Sequence, residues 1–224
     1  MPLVQTNIST VTGLNVLKAL KNILGSGWTL DESDSVLWKS SPSAFPIGFS
    51  ASDTTLVPAV KVGGSIIKPT MSSPAGGVIS DSTTQLTVYT APNGSVGIAI
   101  DAPQSGVVAP SIFILRNGNT NSAMPQDVGF SGGKNSTSRE LISPMTASKI
   151  STSSVFHCNV AYNANSITLT QLADPFTGTA LKDLYTLVSS TGSSGSLPLV
   201  VSNGSAKYIR VNFSGSSSVY FRYT

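Results

Sequence analysis

The first hydrophobic pattern along the chain has the period of a helix. Within residues 10–27, apolar residues recur at steps of three and four: Leu14, Val16, Leu17, Leu20, Ile23 and Leu24. This spacing places them on one side of an amphipathic helix. Thr10 or Thr12 can cap its start, and Gly25 with Gly27 can end it. Because a single apolar stripe on a short helix is typical of core packing, we expect the helix to lie on a β-sheet.

After residue 27 the pattern changes to the period of β-strands. The clearest case is residues 84–102, where Leu86, Val88 and Thr90 alternate before a Pro-Asn-Gly turn and apolar residues alternate again after it. This arrangement predicts a β-hairpin. Further short strands are predicted in 27–30, 35–40, 45–52, 59–69, 76–80 and 111–116.

Residues 117–144 interrupt the strand pattern with a polar stretch rich in Gly, Ser and Asn. A structureless loop of this length is unusual inside a compact domain, so we interpret it as a linker or arm. Thr137 and Glu140 have the spacing of a capping box, which predicts a turn or two of helix before Pro144. The predicted division is a helix-plus-β domain in 1–116, the arm in 117–144, and an antiparallel β domain in 145–224.

Alternating residues return in the last third of the chain. Hairpins are predicted in 153–172 and, around an Asn-Gly turn, in 197–213. Leu181, Leu184 and Leu187 fit a helix or a strand equally well. Together these patterns predict a mainly β (α+β) protein, built as antiparallel β-sandwich or sandwich-like domains with one N-terminal amphipathic helix packed on a sheet.

The chain closes with a hairpin in 207–224 that has tyrosine and arginine on one face: Tyr208, Arg210, Tyr220 and Arg222. A hairpin symmetric about Ser216 sets Arg210 directly opposite Arg222, which is unfavourable. A shift of two residues separates the arginines diagonally and keeps every apolar residue on its face. We predict these four residues as a subunit interface, since Tyr and Arg are enriched there. A solvated face and an anion or sugar site are the alternatives.

Composition adds a functional argument. Charged residues make up 10% of the chain, against about 25% in an average protein. A surface with few charges loses less when it is buried against neighbours, which indicates assembly. One cysteine excludes an internal disulfide framework, and the first residues lack the pattern of a signal peptide. We expect no membrane span, and synthesis in a reducing cytoplasm.

Motifs for catalysis, cofactors and metals are weak. His157 and Cys158 are neighbours on a predicted strand, so their side chains point to opposite faces and do not form a nucleophile–base pair. The segment 129–137 departs from the phosphate-loop pattern, and the acidic segment 31–35 departs from the calcium-loop pattern. We therefore predict no catalytic, cofactor-binding or metal-binding residue and no enzyme activity. Nucleic-acid binding is also not favoured, because the 13 Lys and Arg form no cluster.

The chain resembles the small structural proteins of tailed-bacteriophage virions. The resemblance lies in the opening helix followed by "GSGWTL", in "SVLWKSSPSAFPIGFS", and in the Ser-, Thr- and Gly-rich β remainder. It implies a non-enzymatic virion component, made in the host cytoplasm, whose partners are copies of itself and other virion proteins of the tail, baseplate, fibre or capsid surface. The alternative is a receptor- or carbohydrate-binding β-sandwich that contacts a host-surface glycan through Trp28, Trp38 or the Tyr/Arg face.

Overall fold

The architecture is known from a computed structural model, which describes residues 3–39, 46–52, 55–68, 77–78, 84–92, 94–101, 111–116, 127–132, 139–143, 148–152, 157–164, 167–173, 180–190, 198, 200–212, 218–222 and 224. The helical elements are α1 (Gly13–Leu24) and a 3-10 turn (Gly25–Gly27). The strands of the first half are β1 (Leu3–Ile8), β2 (Trp28–Asp31), β3 (Val36–Lys39), β4 (Ile47–Ala51), β5 (Thr55–Val62), β6 (Ser65–Ile67), β7 (Gly77–Val78), β8 (Thr84–Thr90) and β9 (Val96–Asp101). Those of the second half are β10 (Ser111–Arg116), β11 (Asp127–Gly132), β12 (Arg139–Ser143), β13 (Ser148–Thr152), β14 (His157–Ala164), β15 (Ile167–Ala173), β16 (Ala180–Ser190), β17 (Val200–Asn203), β18 (Ala206–Asn212) and β19 (Ser218–Arg222).

These strands form three antiparallel sheets. The N-terminal sheet has the order β2-β3-β4-β5-β6, with β7 also paired to β5. The seven-stranded sheet has the order β1-β8-β9-β10-β11-β12-β13, and the C-terminal sheet has the order β14-β15-β16-β19-β18-β17. The predicted fold class is confirmed: the protein is mainly β, sandwich-like, with one N-terminal helix on its sheets.

The predicted helix is confirmed together with its ends. The hydroxyl of Thr12 accepts a hydrogen bond from the backbone N–H of Asn15 at 3.2 Å, and Gly25 ends the helix with φ +78°. A positive φ at this point favours glycine, which has no Cβ to clash with the backbone. Lys21 adds a second C-terminal contact, since its ammonium group donates to the carbonyl oxygen of Gly25 at 2.7 Å.

The apolar stripe of α1 forms the centre of the main core. Val16, Leu17 and Leu20 are fully buried, and α1 contacts β1, β2, β3 and β4. The surrounding residues come from the N-terminal sheet and from the edge of the seven-stranded sheet: Ile8, Trp28, Leu37, Ile47, Phe49, Ala51, Leu56, Val60, Leu86, Val88, Val96 and Ile98. The helix therefore joins two sheets, and the strands of the N-terminal sheet lie in sequence between β1 and β8 of the seven-stranded sheet.

The predicted hairpin in 84–102 is confirmed as β8 and β9. Leu86 pairs with Ile100, Val88 pairs with Ile98, and Thr90 pairs with Val96. The connection is closed by two backbone hydrogen bonds, one from the N–H of Ala91 to the oxygen of Ser95 and one from the N–H of Gly94 to the oxygen of Ala91, both at 2.9 Å. Leu86, Val88, Val96 and Ile98 of this hairpin are all buried.

Two strands lie within the segment predicted as an arm. β11 and β12 pair with each other, with β10 before them and with β13 after them. The helical turn expected near Glu140 is wrong, because residues 139–143 are strand. A segment this short gains little from forming an isolated helix, whereas strands on both sides can satisfy its backbone groups. The division of the chain into domains stays a prediction.

The C-terminal sheet is strongly curled. β14 and β17 are its first and last strands, yet they contact each other. The sheet therefore has an inner and an outer face, and its outer side approaches the seven-stranded sheet where β16 contacts β10. Residues 181–187, whose sequence fits a helix or a strand equally well, belong to the strand β16.

Candidate functional site: the tyrosine and arginine face

The closing hairpin adopts the register shifted by two residues. Arg210 pairs with Tyr220, and Tyr208 pairs with Arg222. Each arginine is thus directly opposite a tyrosine, and the two arginines are diagonal neighbours. The apolar pairing is preserved, with Ile209 opposite Phe221. The predicted alternative is confirmed, and the unfavourable opposition of two cations does not occur.

Tyr208 and Tyr220 lie on the inner face of the curled sheet. On the outer face, Phe221 packs against Tyr89 of β8, with ring centroids 6.3 Å apart and planes inclined by 59°. Successive strand residues point to opposite faces, so Tyr220 points inward. Tyr220 is fully buried and Tyr208 is 4% exposed, with Val201, the register partner of Tyr208, also buried. These rings fill the inside of the curl.

The buried ring of Tyr220 is also fixed by a hydrogen bond of its hydroxyl group. Its hydroxyl donates to the carbonyl oxygen of Pro198 at 2.9 Å. Burial raises the pKa of the Tyr220 phenol above its usual value, while the positive charge of Arg210 acts in the opposite direction. The neutral phenol is therefore the form that this interior favours.

A row of register partners crosses four strands at the same level. Gln171 pairs with Tyr185, Tyr185 pairs with Tyr220, and Tyr220 pairs with Arg210. Gln171 is buried, and Arg210 is half-buried at the other end of the row. The row leads from the interior of the C-terminal sheet towards its surface.

Arg222 is bound within its own hairpin. Its Nε donates to the main-chain oxygen of Thr224 at 2.8 Å, and the hydroxyl of Thr224 accepts from the N–H of Lys207 at 3.1 Å. Arg222 is half-buried. Of the four predicted interface residues, the two tyrosines have almost no surface left for another molecule, and the two arginines retain part of theirs. An interface role for this face stays a prediction, and Arg210 and Arg222 are the residues of the four that could still contact another subunit.

The tryptophans predicted as sugar-stacking residues differ in their surroundings. Trp28 is 5% exposed and stacks on Phe49, with ring centroids 5.4 Å apart and planes inclined by 18°. Trp38 is half-buried and pairs with Thr29 and Gly48. Trp28 is therefore a core residue with one small edge at the surface.

That edge of Trp28 lines an open groove that sequence patterns did not predict. The groove has a volume of about 370 Å³ and lies between the end of α1, β2, β3 and the β8–β9 turn. Leu24 and Val96 contribute apolar walls, and the ammonium group of Lys39 donates to the oxygen of Gly94 at 3.0 Å. The residues that line the groove are far apart in sequence and meet only through tertiary packing. No local sequence pattern could therefore predict it.

The acidic segment 31–35 is a turn held by its own hydrogen bonds. The Oδ1 atom of Asp31 accepts from the Ser33 hydroxyl at 2.7 Å and from the backbone N–H groups of Ser33 and Asp34 at 3.1 Å. The side-chain bond from Ser33, followed by the backbone bond from Asp34, lowers the pKa of Asp31. Lys18 pairs with Glu32 at 3.3 Å, and Lys61 pairs with Asp34 at 3.7 Å. This turn links the helix to the N-terminal sheet.

His157 and Cys158 are adjacent positions on β14, with His157 opposite Leu172. Within the described ranges, no group of three or more His, Cys, Asp or Glu residues is arranged to hold a metal ion. The part of the chain with known placement also contains no helix of the length and apolarity that crossing a membrane requires. Comparisons with protein-family models, curated proteins and solved structures found no significant match.

Proposed function

We propose that the protein is a non-enzymatic structural component of a virion of the tailed-bacteriophage type, and that it works through subunit interfaces. The observation that supports this proposal most strongly is the chemistry of the exposed residues. Among the residues whose exposure is described, the exposed ones are mainly Ser, Thr, Asn, Gln and Gly. Four are charged: Lys18, Glu32, Lys68 and Lys207.

Such a surface is suited to burial against neighbouring subunits. Burying an ionised group costs much more free energy than burying a hydroxyl or amide that finds a hydrogen-bond partner. Charged residues are accordingly depleted from the centres of protein interfaces. A surface designed to keep a small protein soluble has about 25–35% charged residues. Large parts of this surface can therefore be covered without leaving charges unpaired.

The proposed partners are copies of the same chain and other virion proteins. The chain is synthesised in the host cytoplasm and becomes part of the particle, in the tail, the baseplate, a fibre attachment or the capsid surface. In this proposal the three sheets form a rigid body that presents its neutral faces and edges to adjacent subunits.

The test is the mass of the purified protein as a function of concentration, measured by sedimentation velocity. We expect the mean mass to rise with concentration, and we expect the chain to co-purify with intact particles at a fixed stoichiometry. A monomer at every soluble concentration that binds host glycans on an array would overturn the proposal and favour the receptor-binding alternative.

The arginines of the closing hairpin provide a second test of the same proposal. Arg222→Glu reverses a partly exposed charge, so we expect it to reduce assembly far more than it reduces the stability of the isolated chain. The matched control is Lys207→Glu, on the preceding strand, where the side chain is exposed. Equal assembly of Arg222→Glu and wild type would exclude this face from the interface.

A further inference from the structure

The three sheets differ in what their edge strands offer to another chain. The edges of the C-terminal sheet, β14 and β17, contact each other. In the N-terminal sheet, β6 has only three residues and β2 lies against α1. In the seven-stranded sheet, β13 includes Lys149, whereas β1 contains neither charge nor proline. Charge, proline, shortness and coverage are the usual devices that protect an edge from pairing.

β1 lacks these devices and is regular along its length. All six of its residues pair with β8, from Leu3 opposite Tyr89 to Ile8 opposite Thr84. Among the described strands, β8 is the one partner of β1. Backbone N–H and C=O groups alternate between the two edges of a strand, so β1 also directs such groups away from β8.

The two faces of β1 are clearly distinguished. Ile8 is buried in the main core, and Val4 and Thr6 are half-buried on the same face. Gln5 and Asn7 are exposed on the other face. There the amide of Gln5 donates to the Thr87 hydroxyl at 3.4 Å, and the amide of Gln85 donates to Oδ1 of Asn7 at 3.2 Å. On this face, a neutral row of amides and hydroxyls therefore runs from β8 to the edge strand β1.

We propose that β1 pairs antiparallel with β1 of a second copy of this chain, so that two seven-stranded sheets become one continuous sheet. This inference rests on the proposed function, for which it names one interface. Antiparallel pairing of a strand with itself is compatible with a two-fold axis, the commonest symmetry of protein dimers.

The faces of β1 also select the register of this pairing. With Thr6 on the two-fold axis, Gln5 lies opposite Asn7 of the second copy, and Val4 lies opposite Ile8 of the second copy. Residues of the same face remain together, as sheet pairing requires. The amide row of each copy then continues into the other, and no charge is brought opposite a like charge.

A charge-exchange experiment tests this register. The variant Gln5→Lys/Asn7→Lys sets lysines opposite lysines in a homodimer, and Gln5→Glu/Asn7→Glu does the same with carboxylates. Gln5 and Asn7 are both exposed in the isolated chain, so folding is expected to be preserved. We expect each variant alone to show at least a tenfold increase in the dissociation constant of the dimer, and an equal mixture of the two to recover wild-type association. Asn22→Lys/Ser26→Lys adds the same charge at exposed positions of α1 and its following turn, and should associate like wild type.

Cysteine cross-linking locates the axis independently. In a Cys158→Ser background, Thr6→Cys should form a disulfide-linked dimer under mild oxidation, whereas Asn22→Cys should not. If the wild type assembles while both charged β1 variants assemble equally well and Thr6→Cys does not cross-link, the β1 inference is overturned and the proposed function stands. If the wild type stays monomeric at every concentration, both are overturned.

Discussion

The helix α1 and the strand β19 of the curled C-terminal sheet bury their residues in different ways. The helix α1 turns one apolar face inward, as Leu17 and Leu20 are buried while Lys18 is exposed. On β19, adjacent residues are both buried, Tyr220 inside the curl and Phe221 against Tyr89. A one-sided element is visible in sequence as alternation. A two-sided strand is not, because both faces have apolar or aromatic residues.

The two regions also use polar groups differently. At the two ends of α1, the half-buried side chains of Thr12 and Lys21 cap the helix. In the C-terminal sheet, a phenol is buried and satisfied by the Pro198 carbonyl. A buried polar group that loses its partner costs more than an exposed one. The comparison therefore makes distinct predictions about which substitutions each region tolerates.

The largest effect is expected at the contact between the curled sheet and the seven-stranded sheet. Phe221→Ala should lower the free energy of unfolding by about 3–5 kcal/mol, because it removes a fully buried ring and leaves a cavity. Denaturant unfolding measures the loss. Val200→Ala is the control on the same sheet, where the side chain is 37% exposed and a change within about 0.5 kcal/mol is expected. If Phe221→Ala lost as little stability as Val200→Ala, the outer face of the C-terminal sheet would not be packed as described.

A comparable loss is expected in the helical core. Leu17→Ala should lower stability by about 2–5 kcal/mol, since Leu17 is fully buried between the helix and its sheets. Lys18→Ala, one position further along α1, should change it by less than about 1 kcal/mol because its ion pair with Glu32 is exposed. A stable Leu17→Ala variant would contradict the placement of the stripe.

A smaller loss of stability is expected when a single polar group inside the curled sheet is removed. Tyr220→Phe removes the hydrogen bond to Pro198 but keeps the ring, so we expect a loss of about 1 kcal/mol. The same chemical denaturation assay measures it. No loss would mean that the hydroxyl contributes nothing beyond the packing of the ring.

Tyr220 also gives the curled sheet an alkaline pH dependence. Its folded-state pKa is raised above the unfolded value of about 10, so the unfolded chain ionises first. The stabilisation is complete below that value and decreases as pH rises from there through the folded-state pKa. Tyr220→Phe should therefore show a shallower loss of stability above pH of about 10. Parallel curves for the two proteins would contradict this prediction.

The smallest effect is expected in the acidic turn beside α1. The pKa of Asp31 is lowered in the folded state, so its contribution is present above the unfolded value of about 4 and is lost as pH falls through the folded-state pKa. Asp31→Asn should reduce the acid dependence of the unfolding temperature slightly. An unchanged acid profile would show that the turn forms without the carboxylate.

The elements that could be predicted were those with local signals. α1 has its apolar spacing, Thr12 and Gly25, and the β8–β9 hairpin has matched alternation around a turn. Residues 139–143 were assigned to a helical turn because their capping-box spacing is local, whereas their partners β11 and β13 are not. For the closing hairpin, two registers preserved the same faces, so alternation alone did not choose between them.

The candidate site was also predicted only as far as local sequence signals reach. The pattern brought Tyr208, Arg210, Tyr220 and Arg222 to one face, and the structure places them on neighbouring strands of one sheet. It did not reveal that β14 and β17 meet and turn the tyrosines inward, since these strands are about 40 residues apart. The groove beside Trp28 depends on similarly distant contacts.

The pairing of β1 with β8 has a consequence for the order of folding. Leu3–Ile8 is synthesised before its partner Thr84–Thr90, which follows only after α1 and the N-terminal sheet. At about 5–20 residues per second, ribosomal synthesis separates the two strands by about 4–15 seconds. Contacts between distant segments also slow folding of the complete chain. During this interval β1 is unpaired on both edges, so slower translation of residues 9–83 lengthens the time in which a nascent chain is open to misassembly.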